Sequence, residues 1–216
     1  MNFYRIYFLL VIHLFVLIHT SSAVASDKED FFTAIKRDHR HNIEALLQRG
    51  FDPNTVDEHG QPGIVAALLI ESYEVAGALA DSPGLLLEAS NPAGETALMM
   101  ASLRGQTVLV QRLLQRGAAV NRPGWSPLHY AATAPDEASM TLLLAQGAAV
   151  DARSPNGTTP LMMAADYGPS ACVDLLLAAG ARVDLKNDLG LTAVDFARQR
   201  GRDRLADQLS RHATPR

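Results

Sequence analysis

Four segments of this chain repeat one another at nearly constant spacing, and this constrains the fold more than any other feature. ETALMMASLRGQ from Glu95, WSPLHYAATAPD from Trp125, TTPLMMAADYGP from Thr158 and LTAVDFARQRGR from Leu191 align so that Thr96, Ser126, Thr159 and Thr192 share one position, at spacings of 30, 33 and 33. Twenty-one residues beyond the first three come Gly117, Gly147 and Gly180, each preceded by a leucine group and followed by GAAVN, GAAVD or GARVD. A period of this length marks a recurring supersecondary unit rather than a single long element.

Each feature of the unit has a physical cause. Thr or Ser caps a first short helix, and Pro127 and Pro160 sit at the first helical turn, where a missing N–H costs nothing. The alanines that follow let two helices approach closely. Leucines at helical spacing bury a second helix, and glycine ends it in a left-handed conformation. The residues after the glycine cross to the next unit as an extended, hairpin-like finger. One such unit cannot bury its apolar face alone, so units stack into a quasi-linear solenoid.

The period, the phrase Ser126-Pro127-Leu128-His129-Tyr130-Ala131 and the downstream L-L-x-x-G-A-x-V-[ND] together resemble the ankyrin repeat, whose signature is T-P-L-H-x-A. Thr159-Pro160-Leu161-Met162-Met163-Ala164 fits except at the histidine. Two worn units precede these, one ending at Gly50 and one in which Gln61-Pro62-Gly63-Ile64-Val65-Ala66-Ala67 stands for the signature and Ser82-Pro83-Gly84 for the plain glycine. The resemblance predicts an all-α fold, an ankyrin-repeat solenoid of about six helix-turn-helix units joined by hairpin-like fingers. The units are expected near 28–56, 57–90, 91–122, 123–153, 154–186 and 187–213, with the first and last acting as caps. It further implies that His129 is a structural hydrogen-bonding residue tying neighbouring turns together.

Residues 1–25 stand apart. Arg5 precedes the apolar run Ile6 to Ile18, and the small-x-small triplet Ala23-Val24-Ala25 follows. That layout predicts a secretory leader cut after Ala25, because the run falls short of the ~20 residues that span a bilayer. Together with the resemblance, this leader marks an exported bacterial ankyrin-repeat protein, expected in the periplasm or the secreted fraction. Of 19 Lys+Arg only Arg5 lies in the leader, against 23 Asp+Glu, so the remaining chain carries a formal charge of −5 and has no global attraction to nucleic acid or anionic lipid. The single cysteine, Cys172, precludes an intramolecular disulfide and sits at an apolar helical position. Stability must come from the core.

Several arrangements invite a chemical reading and fail it. Ser126 with His129 has the look of a nucleophile and its base, but the repeat places Thr96, Thr159 and Thr192 at the same position, and no Gly-x-Ser-x-Gly elbow surrounds Ser126. His39 and His41 lack the companions of a metal site and read as a solvated turn. Met99-Met100 and Met162-Met163 recur, a pattern that copper could exploit, yet Met100 and Met163 fall where Tyr130 and Phe196 also fall, so they are expected in the core. Asp151, Asp184 and Asp188 lie in fingers, where turn chemistry accounts for them. No catalytic, metal or cofactor site is expected.

In ankyrin arrays, ligands lie along the face made by fingertips and first helices. Carried over by position, the partner-binding residues are Trp125, Leu103, Arg104, Tyr167, Asp166, Arg122, Arg153, Asn156, Lys186 and Asp188. Trp125, the only tryptophan, leads as an anchor in a patch with Leu103, Arg104 and Tyr167. The competing expectation is that Trp125 folds down to plug a shortened finger, since Gly117 to Ser126 is three residues shorter than Gly147 to Thr159. The expected function is non-catalytic protein–protein binding by a monomer, supporting an exported stress-defence enzyme. The alternative is an inhibitor or immunity-type protein that blocks a toxin or hydrolase.

Overall fold

The computed structural model describes residues 26–135 and 137–213. The leader expected over residues 1–25, with its cut after Ala25, lies outside them. The described residues form paired helices, and the chain divides after Leu85 into two compact units.

The first unit holds α1 (residues 26–36), α2 (Arg40–Gln48), α3 (Gly63–Leu69) and α4 (Tyr73–Asp81). Here α4 packs against both α2 and α3. The second unit holds α5 (Ala97–Leu103), α6 (Thr107–Gln115), α7 (Pro127–Ala131), α8 (Ala138–Ala145), α9 (Pro160–Asp166), α10 (Ser170–Ala178), α11 (Ala193–Gln199) and α12 (Asp203–Ala213). The first helices of its pairs stack in order, α5 on α7, α7 on α9 and α9 on α11, and each carries its own partner, α6, α8, α10 or α12. Each unit is thus a stack of helix-turn-helix repeats.

The second helices bury one face by a common rule, visible as positions i, i+1 and i+4. These are Val75, Ala76 and Leu79 in α4, then Leu109, Val110 and Leu113 in α6. The same positions are Cys172, Val173 and Leu176 in α10, and Leu205, Ala206 and Leu209 in α12. In α8 the first position is a buried serine, Ser139, ahead of Met140 and Leu143. Each large aliphatic side chain buried this way stabilises by about 1.5–3 kcal/mol. The first helices bury alanines alongside larger side chains such as Leu98, Leu128 and Leu161; Ala97, Ala101, Ala131, Ala164 and Ala197 are among them and let neighbouring backbones come close. Cys172 is fully buried, a small apolar filler as expected. One first helix is short: α7 has five residues where α5, α9 and α11 have seven.

Gly117, Gly147 and Gly180 end α6, α8 and α10 at φ of 92°, 81° and 89°, and a Cβ on any of them would meet nothing within 4 Å. Backbone conformation alone selects glycine there. In the first unit a left-handed turn is made without glycine: Asp38 has φ 53°. Its carboxylate accepts hydrogen bonds from the N–H of Val75 at 2.9 Å and of Glu74 at 3.4 Å, and so caps α4. Asp38→Ala is expected to lose the cap and keep the strain, at about 1–2 kcal/mol. Asp38→Gly loses only the cap and should unfold at a higher denaturant concentration than the alanine variant. Equal midpoints for the two variants would show that the backbone at residue 38 is not strained.

The fingers share a hydrogen-bonded turn. The side chains of Asp57, Asn91 and Asn187 each accept from the backbone N–H two and four residues onward, at 2.8 to 3.0 Å. Ser154 plays the same part by accepting from Thr158 N. Single antiparallel bridges, Val56 with Pro62 and Ser90 with Thr96, are the vestige of a hairpin. The finger between α6 and α7 lacks this turn. There Asn121 instead reaches across to the following finger, donating to Gly147 O at 2.8 Å and accepting from Ala149 N at 2.8 Å.

Candidate functional site

The site grows out of the helix caps. Thr96, Thr159 and Thr192 accept from the backbone N–H three residues on, at 3.3 to 3.4 Å. The reciprocal partner differs from repeat to repeat. Thr96 N and Thr159 N donate to the sulfur of Met99 and Met162, and Thr192 N donates to Asp195. In the fourth pair the acceptor is His129, whose Nδ1 takes Ser126 N–H at 3.2 Å with the Ser126 hydroxyl 2.9 Å away.

The other ring nitrogen fixes the chemistry. His129 Nε2 lies 3.0 Å from the carbonyl oxygen of Thr158, in the next finger. A carbonyl only accepts and a backbone N–H only donates, so Nε2 carries the proton and Nδ1 does not. Burial lowers the pKa of His129 below its ordinary 6.5 and keeps the ring neutral. Both ring nitrogens are engaged, Nδ1 by the cap of its own helix and Nε2 by the carbonyl of the next finger, so the Ser126–His129 pair is tied into the backbone of two repeats. Among the described residues no group of three or more His, Cys, Asp and Glu is placed to hold a metal ion.

Trp125 packs in T-shaped geometry with His129, ring centroids 5.2 Å apart, and with Tyr130 at 6.5 Å. It remains half-buried. With Leu103, Tyr130, Thr133 and Met163 it walls a cavity of about 250 Å³, floored by His129. Tyr130 donates its hydroxyl to Glu95 at 3.1 Å, and burial followed by that carboxylate pushes its pKa well up, so it stays a neutral donor. The packing agrees with the second expectation, that Trp125 plugs the shortened finger. Trp125 folds down over the capping histidine and still presents ring surface to the cavity.

Of the residues expected to gather in one patch, Leu103 and Trp125 share the cavity. Tyr167 lies elsewhere: it is 60% exposed, with the Arg200 guanidinium 4.2 Å above its ring, and Arg200 also pairs with Asp166. Arg104 is half-buried in the turn after Leu103. Arg122 donates to Gly94 O at 3.2 Å, one finger back, and Arg153 to Lys186 O at 2.9 Å, one finger on. Asn156 braces its own finger through Ser154 and Thr158, and its carbonyl receives Asp188 N at 3.0 Å. Lys186 and Asp188 are exposed.

The core assignment of the methionines holds for Met100 but needs correcting for Met163, which is half-buried and lines the cavity. Tyr130, taken as an apolar slot, lines it too. The signal that finds both is positional. In two repeats the residue before the Thr/Ser cap lies beside the residue four after the next cap. Glu95 is bonded to Tyr130, and Trp125 and Met163 line the same cavity.

Comparison with known proteins agrees with this architecture. Family models described as ankyrin repeats match residues 58–154 and 143–197. The ankyrin repeat and SAM domain-containing protein 6 of Rattus norvegicus is 36% identical over 138 residues, covering 62% of this chain and 16% of the relative. The B-cell lymphoma 3 protein homolog of Mus musculus is 34% identical over 124 residues, 54% of this chain and 28% of that protein. The chain therefore spans under a third of these curated relatives. A chain from the solved complex of a Bdellovibrio bacteriovorus predatory endopeptidase with an immunity protein superposes with a TM-score of 0.71 at 27% identity, covering 84% of this chain and 97% of that one. With its paired helices, its capped repeats and these matches, the chain belongs to the ankyrin-repeat family.

Proposed function

We propose that this chain is an exported, non-catalytic ankyrin array that binds and blocks a hydrolase of the endopeptidase class, as an immunity-type protein does. Ankyrin repeats bind proteins, and the finer reading is supported by one observation. The chain from the endopeptidase–immunity protein complex corresponds to this one over 97% of its length, whereas the curated relatives are matched over 16% and 28% of theirs. Likeness over nearly a whole chain carries a role better than likeness over a module within a larger protein. The periplasmic part of the proposal rests on reading residues 1–25 as a secretory leader. Supporting an exported stress-defence enzyme is the second reading, and it differs in the sign of the effect on the partner.

The test adds the purified chain to the exported fraction of its host and follows endopeptidase turnover. Stoichiometric loss of activity, by a protein whose mature form starts at Ser26, is the expected result. Binding that leaves turnover unchanged or raises it would establish the supporting role instead, and hydrolysis by the chain alone would overturn both.

A further inference from the structure

The fingers turn on glycines in the left-handed region, Gly60, Gly94, Gly124, Gly157 and Gly190. The residues before them are His59, Ala93, Pro123, Asn156 and Leu189, so one finger alone carries the pair Asn-Gly. Both members of that pair have structural reasons. Ser154 stands where other turns have Asp57, Asn91 or Asn187, and its short side chain accepts from Thr158 N at 3.0 Å. Asn156 supplements it: Oδ1 takes the Ser154 hydroxyl at 2.6 Å and Thr158 N at 3.3 Å. Gly157 has φ 73°, and a Cβ there would lie 2.6 Å from Arg153 Nη2, 2.8 Å from Asp188 Oδ1 and 3.2 Å from Asn187 Cα. It therefore sits in the joint with the next finger. Arg153 donating to Lys186 O and Asp188 N donating to Asn156 O close that joint.

Asn-Gly is the asparagine pair most prone to cyclise, because glycine leaves the peptide nitrogen unhindered. The Gly157 nitrogen, having lost its proton, attacks Asn156 Cγ. The new N–Cγ bond forms, the Cγ–Nδ2 bond breaks and ammonia leaves. Water then opens the succinimide at one carbonyl or the other, giving aspartate or isoaspartate, and the isoaspartate backbone is one carbon longer. Neighbouring turns lack this chemistry: Asn91 precedes Pro92, which has no N–H to lose, and Asn187 precedes Asp188, whose side chain crowds the nitrogen. Asn156 is exposed to water, but Gly157 is buried and its N–H is donated to Ser154 O at 2.8 Å. The Asn156 side-chain oxygen and backbone carbonyl are both held as well. The nitrogen can deprotonate and swing onto Cγ only when the finger opens.

We infer that Asn156 is a site of spontaneous deamidation, which the folded finger holds shut and local opening of residues 153–158 exposes. The amide that braces the turn is the group at risk, and the hydrogen bonds that protect it belong to the turn and its joint. A chain that has opened is marked permanently. Isoaspartate lengthens the backbone at the joint, where Gly157 has no room to shift. This modification is independent of the hydrolase reading and stands or falls without it.

The experiment ages the full chain at mildly alkaline pH, in buffer and in guanidinium chloride, and maps its peptides by mass. In denaturant a gain of about 1 Da is expected at Asn156. In buffer the same gain should accumulate slower by about tenfold or more, because the reaction draws only on the open population. Ser154→Ala removes the hydroxyl that holds the Asn156 amide and accepts from Thr158 N. It should speed the reaction in buffer and leave the rate in denaturant unchanged, which separates the fold's protection from the intrinsic chemistry. Asn156→Gln should abolish the gain at this position under both conditions. Returned to buffer after ageing in denaturant, the parent chain should melt below fresh protein, and Asn156→Gln treated alike should melt as its own fresh sample does. Equal rates in buffer and denaturant, a gain mapping chiefly to another asparagine, an unaltered rate in buffer for Ser154→Ala, or an aged parent chain melting as fresh would each overturn the inference.

Discussion

Gly168→Ala is expected to destabilise the second unit by about 3 kcal/mol, at the upper end of the range for overpacking. A Cβ at residue 168 would lie 2.1 Å from Ala132 O and 2.8 Å from Ala164 Cα. Both are backbone atoms, and no flexible side chain can move aside to make room. The turn after α9 passes this close to the end of α7 because the alanines of the first helices hold the two repeats together. Gly117→Ala is the comparator. Its Cβ would meet nothing, and its φ of 92° alone resists alanine, at a cost of about 1 kcal/mol. Chemical denaturation of both variants checks the difference. A Gly168→Ala midpoint at or above that of Gly117→Ala would mean that consecutive repeats are not in close backbone contact at this point.

His129→Ala is expected to cost a comparable amount, about 3 kcal/mol. It leaves Ser126 N–H buried without that acceptor, takes from Thr158 C=O one of its two donors (Ser154 N–H, at 2.9 Å, remains) and opens a void under Trp125. Acid should partly reproduce the substitution. The His129 pKa is lowered in the folded chain, so below pH 6.5 the unfolded chain binds a proton that the folded one refuses. The stability contributed by the neutral ring is present in full above that pH and drains away as pH falls from about 6.5 toward the folded-state pKa. Asp195 acts in a separate, lower window. Its hydrogen bonds from the Thr192 hydroxyl and N–H hold its pKa below 3.8, so its contribution is lost only as pH falls below that value. Unfolding free energy measured from pH 7.5 to 5 should therefore slope downward in the parent chain and flatten in His129→Ala. Parallel slopes would place the acid sensitivity elsewhere.

Much of this could be read before any coordinates. The spacing of Thr96, Ser126, Thr159 and Thr192 located the caps, and all four begin helices. Gly117, Gly147 and Gly180 marked helix ends because the left-handed conformation is a property of the local backbone. The resemblance to the ankyrin repeat implied that His129 ties neighbouring turns together, and its ring lies between Ser126 N–H and Thr158 C=O. The expected patch fared differently. Leu103 and Trp125 do meet, but Tyr167 is taken by Arg200 from the next repeat, and Met163 leaves the core for the cavity wall. Residues with equivalent positions in the repeat were read as having equivalent surroundings. A finger three residues short breaks that equivalence by replacing a turn with an indole.

The amino-acid sequence by itself determined the repeating unit, its two helices, their caps and the apolar face of each, because these depend on contacts within a few turns of chain. Only the tertiary structure decided which side chains face one another across repeats: Glu95 and Tyr130, Trp125 and Met163, Asp166 and Arg200. Those pairings depend on how far each finger extends and how closely adjacent helices stack. Such distances are set by packing summed over several repeats, and no single repeat encodes them.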